Sequence, residues 1–183
     1  MRVDDSADIA VGAAGTDEPV LAARGITHYF GRVTALRDVT VALRAGAVHA
    51  IVGENGAGKS TLAAILGGAL APDEGSVELH GIAQAFSAPG DALAAGIGIV
   101  YQELSLLSDL SVADNVMLTI QPRRGPLIDR GAQRARVRKL LERVGAPSLR
   151  VDRPLRGLSV AKRQLVEVAK VLARDPVAVI FDE

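Results

Sequence analysis

The chain has 183 residues, with 21 Lys and Arg balanced by 21 Asp and Glu, and no cysteine. Neutral balance argues against a polyanion binder, so no nucleic-acid partner is expected, and the absence of thiols excludes a disulfide framework and a thiolate metal site. Charged residues break every apolar run well short of the ~18 residues that a membrane span needs, so any membrane role must run through a partner.

Residues 1–19 carry Asp4, Asp5, Asp8, Asp17 and Glu18, lack the basic start and apolar centre of a secretion signal, and read as a disordered leader. From residue 20 to residue 43 the pattern predicts short antiparallel strands at 20–22, 26–30 and 39–43, punctuated by Gly25, Gly31 and Gly46. Tyr29 lies among them. Its ring suits stacking on a nucleotide base and equally suits a half-buried strand position.

The apolar run 47–52 has the length of a buried strand, and residues 60–66 are helix formers. Between them Gly53, Glu54, Asn55, Gly56, Ala57, Gly58, Lys59 and Ser60, followed by Thr61, fit the phosphate-loop pattern G-x-x-x-x-G-K-[ST] without a mismatch. Glycines permit positive φ and let main-chain N–H groups approach phosphate oxygens, and the new helix points unpaired N–H groups into the same place. Lys59 supplies an ammonium for the β- and γ-phosphates, and Ser60 a hydroxyl for Mg²⁺. A chance glycine turn would not need the flanking strand and helix.

Residues 71–75 form a turn, and 76–80 alternate as a strand. His28, His49 and His80 stand at unrelated spacings, so no metal site is assigned to them. A short helix at 91–95 ends at Gly96, a buried strand follows at 97–101, and Gln102 stands at its end. Such a glutamine is either a plain turn residue or, in phosphate-loop enzymes, one that reaches the metal and the attacking water.

Beyond Gln102 helices dominate. Ser111 caps a helix over 112–118; residues 129–144 place Val137, Leu140, Leu141 and Val144 on one face and Arg130, Arg134, Arg136, Arg138 and Arg143 on another, read as a solvated basic face. Ser159 caps a helix over 160–173 with Leu165, Val168, Ala169 and Leu172 on one side. The apolar strand 177–181 ends in Asp182 and Glu183. In phosphate-loop enzymes such an Asp holds Mg²⁺ through water, and a carboxylate beside it can deprotonate the attacking water.

These residues, in this order, resemble the ATP-binding cassette (ABC) family, and in particular bacterial carbohydrate importers, over residues 21–183. Val100, Tyr101, Gln102, Glu103 and Leu104, together with Leu158, Ser159 and Val160, carry the sugar-importer likeness. The resemblance implies an α/β P-loop NTPase fold: a nucleotide-binding domain with an N-terminal antiparallel β subdomain and a helical subdomain at about 104–173, incomplete at its C-terminal end. It implies Tyr29 as base-stacking residue, residues 53–61 as the phosphate loop, Gln102 as a metal- and water-reaching glutamine, Ser159 as a signature serine acting on ATP in trans, Asp182 as the second Mg²⁺ residue and Glu183 as catalytic base.

By the same likeness the cofactors are ATP and Mg²⁺, and the partners a transmembrane permease, a second cassette in tandem or as a dimer, and indirectly a periplasmic sugar-binding protein. The place is the cytoplasmic face of the inner membrane. Ala161 and Lys162 depart from the usual Leu-Ser-Gly-Gly-Gln signature, which points to a weakened half-site. The chain stops at Glu183, so it reads as most of a first cassette, with the fragment itself inactive. Two alternatives remain open at this stage, a soluble ABC ATPase of DNA repair or translation and a non-catalytic nucleotide-binding fragment.

Overall fold

Alternating apolar and polar residues with a tight glycine turn at Gly31 favour a long hairpin. In the computed structural model, which describes residues 19–101 and 105–182, β1 (Pro19–Phe30) pairs antiparallel with β2 (Val33–Arg44). The segments expected as two strands on either side of Gly25 are thus one strand. An irregularity between Ala23 and Ile26, with Gly25 at φ 58°, absorbs the break. On its other edge β1 pairs with β3 (Glu74–Leu79), which pairs in turn with β4 (Ile82–Gln84), giving the sheet order β2-β1-β3-β4.

The chain divides into two compact units at Ile97 and Gly98. In the first, Leu21 and Ile26 of β1 and Leu62, Ile65 and Leu66 of helix α1 (Lys59–Leu66) are almost wholly buried. Each such side chain stabilises the unit by about 1.5–3 kcal/mol relative to exposure. A short helix, α2 (Pro89–Ala94), follows, its N-terminal amides at Ser87 and Ala88 held by the Asp91 carboxylate.

One expectation fails here. Residues 47–52 form no strand, and Val48 and Val52 are 92% and 66% exposed. A buried strand needs hydrogen-bonded neighbours and covered faces, and the four-stranded sheet of this unit ends at β2 without extending to the segment.

The second unit is helical around a two-stranded sheet of β5 (Ile97–Val100) and β8 (Ala178–Phe181). Helices α3 (Val112–Val116), α4 (Arg130–Arg143) and α5 (Val160–Leu172) share a core that includes Val112, Val116, Met117, Val137, Leu141, Leu155 and Val166. A small hairpin, β6 (Arg123–Arg124) and β7 (Leu127–Ile128), turns through Gly125 and Pro126 before α4.

Ser111 and Ser159 cap α3 and α5 as their sequence positions predict, and Asp129 caps α4. Not all of the α4 arginines are merely solvated. Arg130 pairs with Asp114, and Arg136 donates to the Ala173 carbonyl at 2.6 Å and to Asp175 at 3.2 Å, tying α4 to the end of α5.

Candidate functional site

The phosphate-loop residues sit in the first unit, and their geometry follows from two glycines. Gly56 and Gly58 take φ 88° and 87°, and Gly58 is the residue from which α1 begins. A Cβ there would lie 2.5 Å from the Ala35 carbonyl oxygen and 2.7 Å from Leu36 Cδ2, so only glycine lets the helix start against β2. Within the loop, the Ala57 N–H donates to the Glu54 carbonyl at 3.1 Å.

Lys59 completes the curl. Its Nζ donates to the carbonyls of Gly53 at 2.8 Å and Glu54 at 2.9 Å, so the ammonium sits inside the bend of the chain. Ser60 and Thr61 follow in the first turn of α1, which carries no acidic residue. The positive end of the helix dipole is therefore not offset locally. An ammonium, a helix start free of acidic residues and glycine-lined main chain make a donor set that fits a polyphosphate.

Tyr29 lies on β1 opposite Thr34 of β2, while His28 is opposite Leu36, the residue against which Gly58 packs. The register thus puts the strand carrying Tyr29 beside the piece of β2 that supports the loop. The Tyr29 ring is 44% exposed, open to a stacking partner. Asp73 fixes the backbone behind it: its Oδ2 accepts the Tyr29 N–H at 2.8 Å and lies 3.0 Å from His28 Nδ1 without the alignment of a hydrogen bond.

Ser159 and Asp182 belong to the second unit. The Ser159 hydroxyl accepts the Lys162 N–H at 3.5 Å, a long cap, and Val160, Ala161 and Lys162 all face solvent. Asp182 follows β8, its N–H donating to the Val100 carbonyl at 3.1 Å and its side chain half-buried. Gln102 and Glu183 lie outside the described residues.

Among the described residues no group of three or more His, Cys, Asp or Glu could cage a metal ion. Ser60 in the first unit carries an alcohol oxygen and Asp182 in the second a carboxylate, the oxygen donors expected for Mg²⁺. Hard oxygen donors in small number suit a cation that keeps most of its waters.

Three polar residues of the second unit escape a reading of periodicity. Asn115, 1% exposed, accepts the Leu107 N–H at 2.8 Å and donates to the carbonyls of Leu107, Leu110 and Ser111 at 3.0, 3.3 and 3.0 Å. Glu167, 3% exposed, and Lys170 both bind Ser105. The signal available in the sequence was the opposite charge of Glu167 and Lys170 three apart on one helix.

The family description for ABC transporters matches residues 36–183. Ribose import ATP-binding protein RbsA 1 of Rhizobium etli is 47% identical over 166 residues, covering 91% of this chain and 32% of that protein. Its namesake in Streptomyces coelicolor is 49% identical over 166 residues, covering 90% and 33%. The chain therefore spans about a third of the length of these curated relatives. Among solved structures, cbiO1 from Clostridium perfringens, described as part of the ABC transporter complex cbiONQ, superposes with a TM-score of 0.76 at 28% identity, covering 91% of this chain and 66% of that one.

Proposed function

We propose, from the premise that this chain belongs to the ABC transporter family, that it is the nucleotide-binding part of an ATPase subunit that powers sugar import. The observation that carries the reading is the phosphate loop itself: Lys59 held by the Gly53 and Glu54 carbonyls at the start of a helix with no acidic residue in its first turn. The names of the relatives supply the class of cargo, ribose among them. The relatives are named import proteins, and on that likeness the reading takes a membrane permease as partner.

In this reading Tyr29 stacks on the base and the loop amides and Lys59 bind and orient the β- and γ-phosphates. Ser60, Asp182 and Gln102 would be the residues to hold Mg²⁺, which would supply positive charge to the phosphate oxygens. Glu183 takes a proton from the water attacking the γ-phosphorus in line, and the leaving ADP keeps the bridging oxygen. Ser159 and the start of α5 face the triphosphate of a second cassette, a charge-favouring role for an uncompensated helix start. Closure of the two cassettes over ATP then drives the permease on the cytoplasmic side of the membrane.

The test is calorimetric titration of the complete polypeptide with a slowly hydrolysed ATP analogue and Mg²⁺, with and without Lys59→Ala. Saturable binding lost in the variant supports the reading; equal binding by both proteins sinks it. Glu183→Gln should bind nucleotide normally and stop turnover. For the cargo, cells lacking the gene should lose uptake of labelled ribose or a related sugar, and unchanged uptake of all such sugars would remove the import assignment.

A further inference from the structure

Ser105 stands three residues after Gln102 in the chain. There a compact polar cluster from α5 takes hold of it. Lys170 Nζ donates to the Ser105 carbonyl at 2.8 Å and to Ser105 Oγ at 2.7 Å, and the Ser105 hydroxyl donates to Glu167 Oε1 at 2.7 Å. Lys170 and Glu167 are themselves 3.5 Å apart, with side chains 21% and 4% exposed.

Burying this pair is costly. Removing a carboxylate from water costs several kcal/mol unless its oxygens are paired, and among the described residues Glu167 Oε2 has no partner. A helix that only needed packing at this position would be better served by an apolar side chain. The charged pair has instead a geometric result: one main-chain carbonyl and one hydroxyl are fixed at once, by groups on neighbouring turns of a helix whose other residues are locked into the core through Val166 and Ala169. Two residues on, Asn115 fixes Leu107 from the side of α3.

We infer that Glu167 and Lys170 are positioning residues for the hydrolysis step: by gripping Ser105, three positions after Gln102 in the sequence, they tie that point of the chain to the same helix that Ser159 begins. This rests on the functional reading above. The pair acts through the placement of Ser105, so it affects turnover more than binding. Ser105 is thus tied to α5 by three hydrogen bonds, two from Lys170 and one to Glu167.

Lys170→Met, Lys170→Arg and Ser105→Ala test this in the complete polypeptide, with two readouts. Amide hydrogen exchange over residues 105–107 should speed about tenfold in Lys170→Met, the order expected when charge-assisted bonds of this kind are lost, and stay near wild type in Lys170→Arg. In steady-state ATPase assays Lys170→Met should lower kcat about tenfold with KM and analogue affinity within about twofold, Lys170→Arg should restore most of it, and Ser105→Ala should fall between. Unchanged kcat in Lys170→Met, or parallel losses of kcat, affinity and melting temperature in both lysine variants, would overturn the inference. A wild-type protein that binds no ATP would instead overturn the functional reading, while the exchange readout would still decide whether the cluster holds Ser105.

Discussion

The two units handle polar chemistry in opposite ways. In the first, the candidate phosphate site is made of main chain: glycines at positive φ, amides at a helix start, and one lysine held by carbonyls, all in a loop that is largely exposed. In the second, the polar work is done by side chains: Asn115, Gln133 and Glu167, buried in an apolar core, and the more exposed Arg130–Asp114 pair. The difference teaches where function is exposed to single substitutions. A main-chain site tolerates most side-chain changes around it and fails at its glycines and its one cation; a side-chain network fails at each of its members.

That contrast can be broken or sharpened by measurement. The largest effect expected is at Lys59, where replacement by Ala removes both the charge and the two carbonyl bonds; analogue affinity measured by titration should fall about a hundredfold or more. Next is Asn115→Ala in the second unit, which leaves one N–H and several carbonyls of residues 107–111 unpaired. Chemical denaturation should show a loss of about 3 kcal/mol. If that variant were as stable as the parent, the picture of a side-chain-dependent unit would be wrong.

A smaller effect is expected at Gly98, where an added Cβ would overlap Val171 of α5, so Gly98→Ala should cost about 1–3 kcal/mol in the same assay. The smallest concerns Asp114. Burial alone would raise its pKa, but hydrogen bonds from Ser111, Gln133 and Arg130, with the Arg130 charge, hold the carboxyl below its usual range. Its contribution is therefore complete above the unfolded value near ~3.9 and fades as pH drops through the lower folded value. Because Arg130 is 56% exposed, the effect should stay under about 1 kcal/mol, read as a shallower acid limb of stability against pH in Asp114→Asn.

The same contrast explains what the sequence discloses. The helix start after Gly58 and the serine caps at 111 and 159 are local patterns, written in consecutive residues, and they are found where the pattern puts them, whereas the strands expected at 20–22 and 26–30 are one strand. Residues 47–52 misled because strand formation depends on neighbours far away in the chain, and apolar composition alone does not supply them. On α5, of the expected stripe only Ala169 is buried, while Leu165, Val168 and Leu172 are half-buried. Val166, Glu167 and Val171 are buried too, because the helix meets α3 and α4 on one side and Gly98 of β5 on another. A single stripe cannot describe a helix covered on two sides. The hold of Glu167 and Lys170 on Ser105 spans more than sixty positions and leaves no local trace beyond a charge pair.

Asn115 also dictates where this polypeptide can be lengthened. With one amide spanning Leu107 to Ser111, a single extra residue in that stretch would carry a carbonyl out of reach and strand the others, so its length is fixed by one side chain. The exposed turn at Gly125 and Pro126 carries no such obligation. A fluorophore, an epitope or a whole inserted module belongs there, and a library of insertions scored for expression should leave a gap at 107–111 and a cluster at 125–126.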